Sequence, residues 1–64
     1  MNAVVIKTYT NDGEAELDGG MLRAEGVWSM VRKELGSLYI GGLPGAALVV
    51  KPEDLDKAKD ILGL

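Results

Sequence analysis

The chain has room for only one hydrophobic core, because it is 64 residues long and most compact domains are larger. We therefore treat residues 1–64 as a single domain. A chain of this size buries only about 60 % of the surface that its unfolded form exposes, so its stability is small without extra support. It contains no cysteine and no histidine, which excludes a disulfide and the usual zinc sites. Self-association is then the leading source of additional support.

The composition of the chain is that of a folded protein, and its charge argues against a polyanionic partner. Hydrophobic residues make up 47 % and charged residues 27 % of the sequence. The formal net charge is −3, and the one adjacent basic pair is Arg32-Lys33, whereas nucleic-acid binding depends on clustered basic residues facing phosphates. No apolar stretch is long enough for a leader peptide or a membrane span. We expect a cytoplasmic protein that binds neither nucleic acid nor membrane.

Three segments have the composition of β-strands. Residues 3–9 and 27–32 are rich in β-branched and aromatic side chains, and residues 46–50 are uniformly apolar. The segment between the second and third strands contains four glycines and a proline together with several large apolar residues. A long apolar connector in a short chain is usually functional or docked on another surface.

Two segments are predicted to be helices, near residues 12–25 and 53–62. Asn11 is placed to cap the first helix, and Gly26 to end it in a left-handed conformation. Pro52 suits the first turn of the second helix, whose apolar stripe consists of Leu55, Ala58, Ile61 and Leu62.

The side of the first helix that faces the core is predicted from its apolar spacing. The expected stripe consists of Leu17, Met21 and Ala24, with Ala15 and Leu22 beside it. Gly19 and Gly20 interrupt this helix, and each costs up to about 1 kcal/mol relative to alanine. We expect a strand or a neighbouring chain to pack closely against the glycine backbone, with a locally weak helix as the alternative.

The order strand, helix, strand, strand, helix predicts a two-layer α/β (α+β) sandwich with both helices on one face of the sheet. Strands one and two should be parallel, and the third should lie between them, antiparallel to both, in the order 1-3-2. This βαββα arrangement is the ferredoxin-like plan without its fourth strand. The outer edge of strand one is then unpaired.

Several short motifs resemble a bacterial family of unknown function whose members are assigned to prokaryotic signal transduction. The matching segments are Glu14-Ala15-Glu16-Leu17, Leu22-Arg23-Ala24-Glu25-Gly26-Val27, the glycine-containing middle segment, Pro52-Glu53-Asp54, Ala58 and Ile61-Leu62. The resemblance implies a small regulatory or effector-binding βαββα domain related in shape to nitrogen-regulatory signal proteins. It implies no substrate and no particular ligand residues.

The residues offer little for catalysis, so we expect no enzyme activity, no cofactor and no metal. General acid-base and nucleophilic chemistry most often use histidine, cysteine or a serine beside a base. Only Ser29 and Ser37 could serve as a serine nucleophile, with a lysine as base. Neighbouring carboxylates are expected to form solvated helix faces, as in the pairs Asp12 with Glu14 and Asp56 with Asp60.

The glycine-rich segment 35–45 is a candidate effector-binding loop. Its glycine spacing is that of a phosphate-binding loop, but Gly42-Leu43 stand where that motif requires Lys and Ser or Thr. Backbone amides could still bind an anion or a nucleotide with help from basic side chains. The candidate residues are Arg32, Lys33, Gly36, Tyr39, Gly41 and Gly42. The alternative is a loop whose Leu and Tyr side chains pack on the sheet.

A second candidate surface is the face of the sheet that the helices leave uncovered. If Val27, Ser29 and Val31 face the helices, then Trp28 and Met30 face the other way. The predicted contact residues are Val5, Tyr9, Trp28, Met30 and Val49. The alternative is the reverse phase, with Trp28 in the core. We expect an interaction or signalling module that binds a protein partner, or a second copy as a homodimer, through this face or the strand-one edge.

Overall fold

The computed structural model describes residues 2–33, 39–40 and 43–64, with residues 39–40 and 43–44 described as backbone. Its elements in chain order are β1 (Val4–Tyr9), α1 (Asp12–Ala24), β2 (Ser29–Arg32), β3 (Tyr39–Ile40), β4 (Leu43–Pro44), β5 (Ala46–Val50), a 3-10 turn (Pro52–Asp54) and α2 (Leu55–Leu62). The predicted strands and helices are confirmed close to their expected bounds. The short ladder between β3 and β4 lies in the segment that was predicted only as a connector.

The main sheet has the order β1-β5-β2, and β5 is antiparallel to both neighbours. The two outer strands are therefore parallel to each other, which confirms the predicted 1-3-2 arrangement. One core joins the sheet to both helices, and its buried members are Tyr9, Ala15, Leu22, Val27, Ala46, Leu48, Val50 and Ala58. Because α1 and α2 contribute to the same core, both helices lie on one face and the protein is a two-layer α+β sandwich.

The ends of α1 are determined by local sequence. The side-chain oxygen of Asn11 accepts a hydrogen bond from the Glu14 amide at 3.2 Å, as expected of an N-cap. At the other end Gly26 has a φ of 81°, and its amide donates to the Arg23 carbonyl at 3.0 Å. The Val27 amide donates to the Leu22 carbonyl at 2.9 Å, which completes a Schellman motif and turns the chain into β2.

The face of α1 that meets the sheet differs from the prediction. The buried residues of the helix are Ala15, Gly19 and Leu22. Leu17 and Met21 instead retain 67 % and 44 % of their exposure, and Ala24 is also exposed. The prediction was therefore wrong for Leu17, Met21 and Ala24 and right for Ala15 and Leu22, because the helix is rotated so that Ala15, Gly19 and Leu22 face the sheet.

Gly19 explains this orientation. The Gly19 carbonyl accepts a buried hydrogen bond from the Ser29 hydroxyl at 3.0 Å, so the helix backbone lies close to β2. A β-carbon at this position would be 3.4 Å from Leu48 Cδ1 and 3.2 Å from Arg23 Nη1. A β-carbon at Gly20 would meet no atom within 4 Å. The expected close packing is thus found at Gly19 and not at Gly20.

Candidate functional site

The face of the main sheet opposite the helices contains an apolar row that crosses all three strands. Val5 of β1 and Met30 of β2 are both paired with Val49 of β5, so their side chains point to the same side. Val49 is fully buried and offers no surface to a partner, which corrects the expectation for this residue, whereas Val5 and Met30 keep 53 % and 45 % of their exposure. We call this side, with Val5, Trp28, Met30 and Val49, the open sheet face.

Trp28 precedes β2 and belongs to the same face by alternation. Its neighbours Val27 and Ser29 are both buried on the helix side, where Val27 belongs to the core and Ser29 bonds to α1. Trp28 is partly exposed and lies outside the core cluster. This is the phase in which Trp28 and Met30 point away from the helices.

Tyr9 does not join the open sheet face, which corrects the expectation for this residue. The pairing of β1 with β5 shifts between Val5 and Lys7, so that Ile6 is an extra residue in the strand. A bulge of this kind reverses the alternation of all later residues. Tyr9 therefore points toward the helices, where it is buried in the core.

On the helix side of the sheet, Tyr9 connects β1 to α1. Its hydroxyl donates to Asp18 Oδ2 at 2.5 Å, and Lys7 Nζ lies 4.9 Å from the centre of its ring and 4.0 Å from the same carboxylate. Burial, followed by the hydrogen bond to Asp18, raises the pKa of the Tyr9 hydroxyl above its usual value. The Tyr9 hydroxyl therefore stays protonated at neutral pH, and the side chain serves to hold β1 against α1.

The strands and the helices differ in charge. Every charged residue in the described strands or directly after them is basic, namely Lys7, Arg32, Lys33 and Lys51. Lys7 and Lys33 turn to α1, where Lys33 Nζ lies 3.5 Å from Glu16 Oε1. Arg32 is paired in register with Ala47, two residues from the Met30 and Val49 pair, which places it on the open sheet face. Lys51 follows Val50 in extended backbone, so alternation places it on that face too.

The candidate effector loop lies largely outside the described residues. This applies to Gly36, Gly41 and Gly42, whereas Tyr39 is described by its backbone pairing with Pro44. Arg32 is exposed at the end of β2, and Lys33 forms the ion pair with Glu16. The anion-binding hypothesis therefore stays a prediction.

Of the two serines that could have served catalysis, the described one is engaged within the fold. The Ser29 hydroxyl donates to the Gly19 carbonyl and is 3.2 Å from Arg23 Nη1, and Ser29 is buried. Ser37 lies outside the described residues. Within the described ranges, no group of three or more acidic residues is placed to hold a metal ion, and no helix is long and apolar enough to cross a membrane.

A second exposed apolar surface is formed by Leu17, Met21 and Ala24, which we call the outer α1 stripe. Glu14 lies one turn before Leu17, and Glu25 lies one turn after Met21; both are exposed. Sequence reasoning found these apolar residues by their spacing but assigned them to the core. The signal that could have corrected it is Gly19, which lies between Ala15 and Leu22 on one side of the helix and allows that side to approach a neighbouring backbone closely.

Comparison with family models, curated proteins and solved structures gives no match to this chain. The resemblance to the signal-transduction family therefore stays a hypothesis.

Proposed function

We propose that this protein is a non-catalytic protein-binding module and that its contact surface is the open sheet face. The single observation behind this proposal is the cross-strand row in which half-exposed Val5 and Met30 flank Val49. Large apolar side chains grouped on one face favour a protein contact more than isolated exposed ones do. The cytoplasmic location and signalling role expected from the sequence are part of the same proposal and rest on the sequence alone.

The aromatic residue beside the row adds binding energy. Trp28 is partly exposed and close in sequence to Met30, and tryptophan is enriched among the residues that contribute most binding energy at protein interfaces. Covering its remaining surface would add apolar burial at about 25 cal/mol per Å². We therefore assign Trp28 and Met30 as the main contact residues.

The charges around the row indicate the chemistry of the partner. Arg32 and Lys51 lie on opposite sides of the apolar row, and no acidic residue lies in the described strands. Basic residues at the rim of an apolar contact favour an acidic partner and steer its approach. The expected partner is a protein surface on which apolar side chains are bordered by carboxylates.

The partner chemistry can be tested without knowing the natural partner. A random displayed-peptide library would be selected on the immobilised protein, and enriched peptides would be titrated against purified variants by fluorescence anisotropy. We expect peptides that combine large apolar residues with Asp and Glu. Trp28→Lys should weaken their binding by about 3- to 10-fold, because covering the part of the side chain that is still exposed contributes on the order of 1 kcal/mol.

A matched control is available at the C-terminus. Leu64 is exposed to a similar degree as Val5 and follows α2 on the opposite layer, so Leu64→Lys makes the same chemical change away from the open sheet face. Met30→Lys provides a second test variant at a residue that is more exposed than Trp28. Enriched peptides that are basic, or that bind Met30→Lys and Leu64→Lys equally well, would show that the surface has been assigned wrongly.

A further inference from the structure

We infer that the partner of the open sheet face is the outer α1 stripe of a second copy, so that the chain associates head to tail. This inference rests on the proposed function and names the partner that meets its chemistry. The required partner surface is apolar with carboxylates at its border. The described residues contain such a surface at Leu17 and Met21, between Glu14 and Glu25.

The two surfaces match in the order of their groups. Along the helix the order is carboxylate, two apolar residues, carboxylate, and Glu14 and Glu25 are separated by about 16 Å at 1.5 Å per residue. Along the sheet the order is Arg32, the apolar row, and Lys51. Arg32 lies two residues from the row in one direction, and Lys51 lies two residues from it in the other. The separation of four residues corresponds to about 13 Å along the strands. Long charged side chains easily cover this difference.

The overall charge distribution favours a contact between the helix of one copy and the sheet of another. It disfavours a sheet-to-sheet or a helix-to-helix contact. α1 contains four carboxylates, Asp12, Glu14, Glu16 and Asp18, and one guanidinium, Arg23. Two copies joined sheet to sheet would bring their basic residues together, and two joined through α1 would oppose mainly carboxylates. A helix of one copy on the sheet of the next opposes unlike charges.

Head-to-tail contact has a recognisable consequence, because it uses two different surfaces and leaves one of each free at the ends. It therefore grows to open chains or closes to rings, whereas a two-fold dimer stops at two copies. A helix the length of α1 covers an area about 20 Å by 10 Å. Such a contact covers about 200 Å² on each partner, which is less than stable specific interfaces bury, so we expect a weak contact with dissociation constants in the micromolar to millimolar range.

The test uses one variant for each surface and measures sedimentation velocity and titrations of isotope-labelled protein from about 10 µM to 1 mM, the range set by the expected affinity. Leu17→Lys removes the helix surface and Met30→Lys removes the sheet surface. Both residues are substantially exposed, so both variants should fold. Val5→Lys replaces Met30→Lys if that protein unfolds, and Leu64→Lys is the control.

We expect the wild type and Leu64→Lys to form oligomers larger than dimers. Each surface variant alone should associate at least 10-fold more weakly, since it lacks one of the two required surfaces. An equimolar mixture of Leu17→Lys and Met30→Lys should form a one-to-one complex, because each retains the surface that the other has lost.

Other outcomes would overturn the inference in distinguishable ways. Self-association of Leu17→Lys at wild-type strength would indicate a sheet-to-sheet dimer, and the same behaviour of Met30→Lys would indicate a helix-to-helix dimer. A wild type that stays monomeric at 1 mM, the upper limit for such a contact, would exclude the second copy. In that last case, acidic apolar peptides that still bind the open sheet face would leave the proposed function standing with a different partner.

Discussion

Replacing the two adjacent glycines of α1 gives a direct test of how the helix is seated on the sheet. Both positions lie inside the helix, where exchange of glycine for alanine contributes up to about 1 kcal/mol of helix stability. At Gly20 the added carbon meets no atom within 4 Å. Gly20→Ala should therefore stabilise the protein by about 1 kcal/mol and raise its melting temperature by about 4 to 8 °C.

The same exchange at Gly19 should bring little or no gain. The added carbon would lie 3.2 Å from Arg23 Nη1, and the guanidinium can move only by weakening its contacts with the Ser29 hydroxyl and carbonyl, at 3.2 and 3.4 Å. A hydrogen bond of this kind contributes about 1 kcal/mol, which offsets the gain in helix propensity. The two alanine variants should thus differ by about 1 kcal/mol.

Leucine at the two positions enlarges the contrast. Gly19→Leu would force three further carbons between α1 and Leu48, which costs about 1 to 3 kcal/mol, and would strain the buried bond from Ser29 to the Gly19 carbonyl. A chain of this length has only about 3 to 10 kcal/mol of total stability. Urea unfolding followed by circular dichroism at low protein concentration would measure all four variants. Equal stability of Gly19→Leu and Gly20→Leu would refute the close helix-to-sheet contact.

Two further predictions concern the helix end and the buried tyrosine. Gly26→Ala should lower the free energy of unfolding by about 1 to 2 kcal/mol in urea titrations, because a side chain is strained at a φ of 81°; unchanged stability would contradict the left-handed cap. Above about pH 10 the unfolded chain loses the Tyr9 proton that the folded chain retains, so stability should fall as pH rises. Tyr9→Phe should show a shallower decline between about pH 9 and 11 than the wild type, and equal slopes would mean that the pKa of Tyr9 is not raised by folding.

The fold could be predicted from the sequence because its determinants are local. The Asn11 cap and the Gly26 end depend on a few adjacent residues, and both are found as expected. The strand order followed from the sequence of elements and the need to bury two helices on one sheet. Met30 and Val49 lie on the same face because strand alternation is regular in that part of the sheet.

What could not be predicted depends on contacts between elements. The extra residue at Ile6 is a property of the pairing of β1 with β5, and it changed the face of Tyr9. The inward face of α1 was assigned from the spacing of its apolar residues, without weight for Gly19. Close approach of two backbones favours the opposite choice, since a glycine provides no side chain to separate them.

The close approach of α1 at Gly19 and the extra residue in β1 together determine that Leu17 and Met21 point outward. Turning α1 to bury them would move Gly19 away from the sheet and break its buried hydrogen bond with Ser29. It would also separate Asp18 from Tyr9 and Lys7 on one side of the helix, and Glu16 from Lys33 on the other. The β1 bulge supports the same orientation, because it brings Tyr9 and Lys7 within reach of Asp18. The outer α1 stripe is therefore exposed because the contacts on three sides of the helix require it.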